Sequence, residues 1–256
     1  MMPVLFIGHG SPMNAIADND YTKTLNRLGL ELPAPKAILV VSAHWLTQGT
    51  FVTSTDTPKM IYDFFGFPHE LFAATYPARG SQAAALKINH LIEDTRIQFD
   101  NGTWGIDHGS WSVLRHLYPK ADVPALQLSI DLSQPPAWHF KFAQELVKLR
   151  EEGILIIGSG NIVHNLRNFS WKEEGPVFDW ALEFDQWFKQ KLEARDFNSL
   201  ITDYNKTETG KLSVPALDHY LPAIYALGAS LPDDKLTHVY EEIQNGSIAM
   251  RSFMFS

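Results

Sequence analysis

The sequence predicts an α/β sandwich, and two patterns carry that expectation. Three short runs, Val4-Leu5-Phe6-Ile7, Ile38-Leu39-Val40-Val41 and Ile154-Leu155-Ile156-Ile157, are continuously apolar, as strands buried on both faces of a sheet are. Stretches of helical periodicity fall between them, and strands alternating with helices build α/β layers. Each run also leads to a histidine. Gly8-His9-Gly10-Ser11-Pro12 follows the first, Ser42-Ala43-His44 the second, and Gly158-Ser159-Gly160 with His164 the third. Ligands bind at the carboxyl ends of strands in open α/β sheets, so these histidines are aimed at one region.

In chain order, Tyr21 to Leu30 reads as a short helix, closed by Gly29 and Pro33-Ala34-Pro35. After the second core strand comes a strand over Thr50 to Thr55. The segment Tyr62-Asp63-Phe64-Phe65-Gly66-Phe67-Pro68-His69 to Tyr76-Pro77 is too rich in aromatics, Gly and Pro for one regular element, and reads as an ordered loop walling a pocket. Ser81 to Asp94 is helical, with Ala84, Ile88, Leu91 and Ile92 on one face, and Arg96 to Phe99 is a strand. Gly102 to Trp111 is a second glycine-rich loop that opens a helix around Val113 to Tyr118. Pro124 to Ile130 is a strand. Pro135 and Pro136 start a helix to Glu152 that Gly153 stops. Pro176 to Arg195 is a long amphipathic helix, Pro215 to Leu227 a helix containing His219, and Ile248 to Phe255 a terminal apolar strand. No internal repeat, low-complexity stretch or linker is visible, so residues 1–256 read as one domain.

Composition narrows the function. With 45% hydrophobic and 20% charged residues the chain is of ordinary globular type. A formal net charge of -8 argues against nucleic acid, whose phosphates need a basic face. No apolar run approaches the roughly 18 residues of a membrane span, and no basic leader precedes the first strand. These readings lead to an expectation of cytoplasmic residence, with no nucleic-acid or membrane partner. The absence of cysteine removes disulfides, thiolate ligands and a cysteine nucleophile. Any metal is held by nitrogen and oxygen.

The chain has ten histidines. A lone histidine is usually a surface residue or a satisfied core residue, and His90, His116, His139 and His238, inside or beside helical patterns, take that reading. His69 sits in the aromatic loop, where a structural hydrogen bond is as good an account as a role. His9, His44 and His164 follow buried strands, His108 lies in a pocket-type loop, and His219 precedes Tyr220. Converging imidazoles without cysteine suit zinc, iron, copper or nickel. Phe64, Phe65, Phe67, Trp104 and Trp111 are candidate pocket walls for a planar ring, with ordinary core packing an equal alternative for each.

Six stretches resemble one enzyme family, in the same order. They are Gly8-His9-Gly10-Ser11-Pro12, Ser42-Ala43-His44-Trp45, Asp63-Phe64-Phe65-Gly66-Phe67-Pro68, Gly105-Ile106-Asp107-His108-Gly109-Ser110-Trp111, Gly158-Ser159-Gly160-Asn161-Ile162-Val163-His164-Asn165-Leu166 and Asp218-His219-Tyr220-Leu221-Pro222. The family is the 4,5-DOPA extradiol dioxygenases, a branch of the LigB-type ring-opening enzymes. The resemblance implies a three-layer α/β/α sandwich around a mixed, mostly parallel sheet. It also implies a single non-haem metal and O2-dependent cleavage of a catechol ring beside one hydroxyl.

Carried over by position, His9, His44 and His219 look like metal ligands. His164 resembles the family histidine beside the metal, a fourth ligand or the catalytic base, and His108 a histidine that meets the substrate. A catechol and O2 together take three of roughly six positions on iron, which leaves room for three protein ligands. Of the four, His164 is then the one to swing free and handle protons, because it lies beyond a glycine-rich turn rather than at a strand end. Fe(II) is the metal expected for activity, while Zn(II), which all four histidines could enclose, is expected to occupy the protein as purified. Two rivals remain: a zinc hydrolase on a similar scaffold, against which no conspicuous Glu sits beside His9, His44 or His164, and a non-enzymatic metal-binding protein.

Overall fold

The computed structural model describes residues 1–170 and 175–256. Its strands are β1 (Val4–Gly8), β2 (Ala37–Thr47), β3 (Thr50–Val52), β4 (Ile97–Phe99), β5 (Ala125–Asp131), β6 (Ile154–Gly160), β7 (Leu236–Tyr240), β8 (Ile243–Gln244), β9 (Ile248–Ala249) and β10 (Ser252–Phe255). The helices are α1 (Asp20–Glu31), α2 (His69–Ala73), α3 (Gln82–Leu91), α4 (His108–Leu117), α5 (Pro136–Glu145), α6 (Val147–Glu151), α7 (Asp179–Glu193), α8 (Phe197–Thr202), α9 (Glu208–Ser213) and α10 (Leu221–Gly228).

Eight strands form one sheet in the order β4-β3-β5-β2-β6-β1-β10-β7, while β8 and β9 pair separately. The three apolar runs lie side by side at its centre, β6 parallel to both β1 and β2. β5 is parallel to β2, and β4 to β3. The junctions β3–β5, β1–β10 and β10–β7 are antiparallel. The sheet is therefore mixed and mostly parallel, as expected.

Alternate residues of one run enter opposite cores, which is why no polar position interrupts it. Val4, Phe6, Leu39, Val41 and Ile156 join α5, α7 and α10 on one face. Leu5, Ile7, Ile38, Val40 and Ile157 join α1 and α4 on the other. Two cores around one sheet make three layers. The parallel β1, β2 and β6 end together, and that end carries the histidines.

Several boundaries differ from the sequence reading. The helix expected from Pro135 to Glu152 breaks at Leu146, whose N–H bonds Ala143 O three residues back. That tightened turn sends both Leu146 and Leu149 into the core, each fully buried. The expected strand Ile248 to Phe255 is interrupted at Met250 and Arg251. Arg251 is 2% exposed, and its guanidinium forks onto Asp185 of α7, Nε–Oδ1 2.8 Å and Nη2–Oδ2 2.6 Å. The helix expected over Pro215 to Leu227 begins only at Leu221, so His219 stands in the turn before α10. Conversely, α4 starts at His108 and not near Val113. Asp107 caps it, accepting from Ser110 N.

Candidate metal centre

β2 was expected to end before His44, but it runs on to Thr47 with a register break against β5 between Val41 and Leu46. The extra residues on β2 bulge, and a bulge re-aims a side chain. His44 is thereby turned toward His9, which directly follows β1. His219 is brought in from below: Asn161 N donates to His219 O at 2.9 Å, against the end of β6. Gly160 permits this, because a Cβ there would lie 2.3 Å from His219 O. Gly109 serves the other side, where a Cβ would lie 2.8 Å from His44 Cδ2 and Ser42 Oγ.

Hydrogen bonds fix how each imidazole presents itself. Ser159 Oγ donates its proton to Gly109 O at 2.5 Å, so it accepts from His9 Nδ1 at 3.0 Å. Asp63 Oδ2 faces His44 Nδ1 at 3.2 Å, and Asp218 Oδ2 faces His219 Nδ1 at 2.6 Å. Carboxylates only accept, so both Nδ1 atoms carry the proton. In all three rings Nε2 is left with its lone pair, the arrangement that outer partners impose on metal-binding histidines. His9 Nε2 and His44 Nε2 face each other at 3.2 Å with no proton between them. Two opposed lone pairs at that distance repel unless a cation accepts both. A ligand atom from each of His9, His44 and His219 lies within 4.8 Å of the others. The donor set fits a divalent metal.

Electrostatics agree. Burial, and then the neighbouring imidazoles, hold His9 and His219 well below the ordinary histidine pKa. Burial, with His108 adding and Asp63 among the groups opposing, brings His44 to about 4. Burial likewise brings His164 to about 4 against the pull of Asp218. These rings are neutral at pH 7 and can donate to a cation without first losing a proton.

His164 and His108 are placed differently. The His164 ring lies on the His219 ring, centroids 3.5 Å apart and planes 6° from parallel. It belongs to the same cavity but not to the three-nitrogen group. His108 gives both its backbone N–H and Nδ1 to Asp63 Oδ1, at 3.0 and 2.9 Å. Burial raises the Asp63 carboxyl pKa, but the His108 hydrogen bonds and nearby imidazoles outweigh it and hold the group lower than usual. Asp63 is therefore ionised and bridges His44 to His108.

The cavity over these residues is about 360 Å³ and is walled by Phe64, Phe65, Phe67, Phe169 and Ile248. Phe64 stands edge-on to His108, 5.5 Å between centroids. Trp104 and Trp111 are not among its walls. Trp104 stacks on Trp45, and Trp111 is fully buried with Nε1 bonded to Ile61 O. Sequence reasoning missed the service residues Ser159 and Asp63, and the wall residue Phe169. It also counted the lack of a nearby acid against a hydrolase, which the position of Asp63 corrects. The signal for Asp63 was a carboxylate between Tyr62 and Phe64 at the head of the aromatic loop.

Residues 4–249 match the family model described as the catalytic LigB subunit of aromatic ring-opening dioxygenase. The chain is 46% identical to a 4,5-DOPA dioxygenase extradiol of Escherichia coli (strain K12), over 98% of this chain and 93% of that one. It is 35% identical to the Beta vulgaris protein of the same name, over 98% and 95%. A crystal structure of an uncharacterised Escherichia coli K12 protein superimposes with a TM-score of 0.88 at 43% identity, covering all of both chains.

Proposed function

The chain belongs to the LigB family of aromatic ring-opening dioxygenases, and we propose that it opens a catechol of the DOPA type beside one hydroxyl, with a single divalent metal held by His9, His44 and His219. The observation that carries this reading is the facing pair His9 Nε2 and His44 Nε2, 3.2 Å apart and both fixed as acceptors. Bound Fe(II) supplies electron transfer between the catechol and O2, which d¹⁰ Zn(II) cannot.

The chain's own residues do the rest. Ser159, Asp63 and Asp218 hold the three ligand rings in the tautomer that leaves Nε2 free. His108, its Nδ1–H committed to Asp63, offers Nε2 to a catechol hydroxyl and orients the ring. His164, neutral at pH 7, takes the proton of the other hydroxyl and later returns it, and Asp218 favours the charged form in between. The phenylalanine walls sandwich the ring and keep bulk water away.

Metal exchange tests this. Protein stripped and reloaded anaerobically with Fe(II) should consume O2 in step with DOPA and yield a yellow ring-opened semialdehyde. Zn(II) protein should do neither, and oxidation to Fe(III) should silence activity that ascorbate restores. Zn(II)-supported turnover of an ester or amide, without O2 uptake by the Fe(II) form, would replace this reading with a hydrolase.

A further inference from the structure

A second cavity, of about 450 Å³, lies on the far side of the Phe65-Gly66-Phe67 tip from the histidines. The two cavities share Ser11, Phe65, Phe67 and Phe169 as lining, so these side chains form the partition between them. Phe65 is 92% exposed at that tip, and no packed core fixes its ring there. A ring seated against His108 and His164 therefore needs only to pass these side chains for its substituent to enter the outer space.

The lining of the outer cavity includes three amides, Asn14, Gln244 and Asn245, all buried. Two of them are poorly satisfied. Asn14 Nδ2 reaches His9 O at 3.3 Å and Gln244 Oε1 at 3.4 Å, and Gln244 Nε2 reaches Glu242 Oε2 at 3.5 Å. Ordinary N–H···O bonds are about 2.9–3.0 Å, so the bonds these amides make, with Asn14 Oδ1 accepting from Asn19 Nδ2 at 3.3 Å, are long and weak. Amides in this state gain by re-pairing with a ligand. They are neutral and offer donors and acceptors together, which matches a group that is itself both and carries no net charge. Among the described residues, no Lys or Arg lines either cavity.

We propose that the outer cavity is the subsite for the polar substituent of the catechol, receiving a zwitterionic amino-acid side chain on the amides of Asn14 and Gln244. This rests on the dioxygenase reading. The ring is held at the histidines, and the substituent, through these amides, sets which catechols bind well.

The test compares L-DOPA with 4-methylcatechol, whose substituent has no polar group to place. Gln244→Leu removes the amide with little change of volume, and Ala17→Phe fills the outer cavity from its half-buried rim. In Fe(II)-loaded protein, each variant should lower the ratio of kcat/KM for L-DOPA over 4-methylcatechol by about tenfold, chiefly through KM for L-DOPA. That is the scale of one good hydrogen bond lost from a binding site. Circular dichroism decides which variants are folded, and the rim position keeps the test available if the buried one is not. A ratio within twofold of the parent's in either folded variant overturns the subsite while leaving the dioxygenase reading intact. A parent protein that opens neither catechol sinks the dioxygenase reading, and the subsite with it.

Discussion

His164 lies flat on His219, ring centroids 3.5 Å apart and planes within 6°. An imidazole donates in its own plane, so two stacked rings hold their lone pairs in separate, nearly parallel planes and do not both aim at one point. His219 has its Nδ1 proton committed to Asp218 and offers a ligand atom beside those of His9 and His44. His164 is the ring left over, on the wall of the same cavity.

His164→Gln should accordingly keep its iron and still bind catechol, yet lose on the order of 10²–10⁴-fold in turnover, the usual scale for a missing acid–base group. Metal analysis beside steady-state rates reads both halves. Iron lost as readily as in His9→Ala would make His164 an obligatory ligand.

His9→Ala, His44→Ala and His219→Ala should each abolish stoichiometric metal binding while leaving the far-ultraviolet circular dichroism close to the parent's. Their partners are local: Ser159, Asp63 and Asp218. Full occupancy in any one of them removes that histidine from the coordination set.

The central strands were legible because burial on both faces leaves only apolar residues, and the three-layer order follows from their alternation into two cores. The start of α4 was misplaced because its first residues, His108-Gly109-Ser110, carry no helical periodicity; the Asp107 cap is the signal there. The β2 bulge could not be read, since a bulge is a mismatch between two strands and a sequence shows one at a time. Asp63 was visible as a residue but not as a partner, because the contact that gives it meaning joins the aromatic loop to β2 and α4.

Asp63 ties His44, the proposed ligand, to His108, the proposed partner of the substrate, so its removal should disturb both. Asp63→Asn can satisfy only part of the set that the carboxylate holds, His44 Nδ1 together with His108 N and Nδ1. Metal affinity measured against a chelator should fall about 10–100-fold, the range typical of such outer partners. KM for catechol should rise with the metal saturated. A variant whose metal affinity and KM both match the parent's would reduce Asp63 to a surface acid.

The last expectation concerns a histidine outside the candidate metal centre. His139 is fully buried, its Nδ1 2.9 Å from Tyr225 Oη. Burial lowers its pKa to about 4, against smaller opposing effects of Asp131 and nearby backbone. Above pH 6.5 the ring is neutral in the folded and unfolded chains alike, and its contribution to stability is complete. As the pH falls below 6.5 the unfolded chain takes the proton first, so stability drains away until the folded ring also protonates near pH 4. At pH 4.5 the loss should be roughly 2–3 kcal/mol. The double variant His139→Leu, Tyr225→Phe removes the titrating ring without orphaning the hydroxyl. Urea unfolding of metal-stripped protein at pH 7.5 and pH 4.5 reads the difference, since the site histidines titrate in both proteins and cancel. The parent should lose more stability with acid than the variant by that amount. Equal acid losses would mean that His139 is charged, or reached by water, in the folded protein.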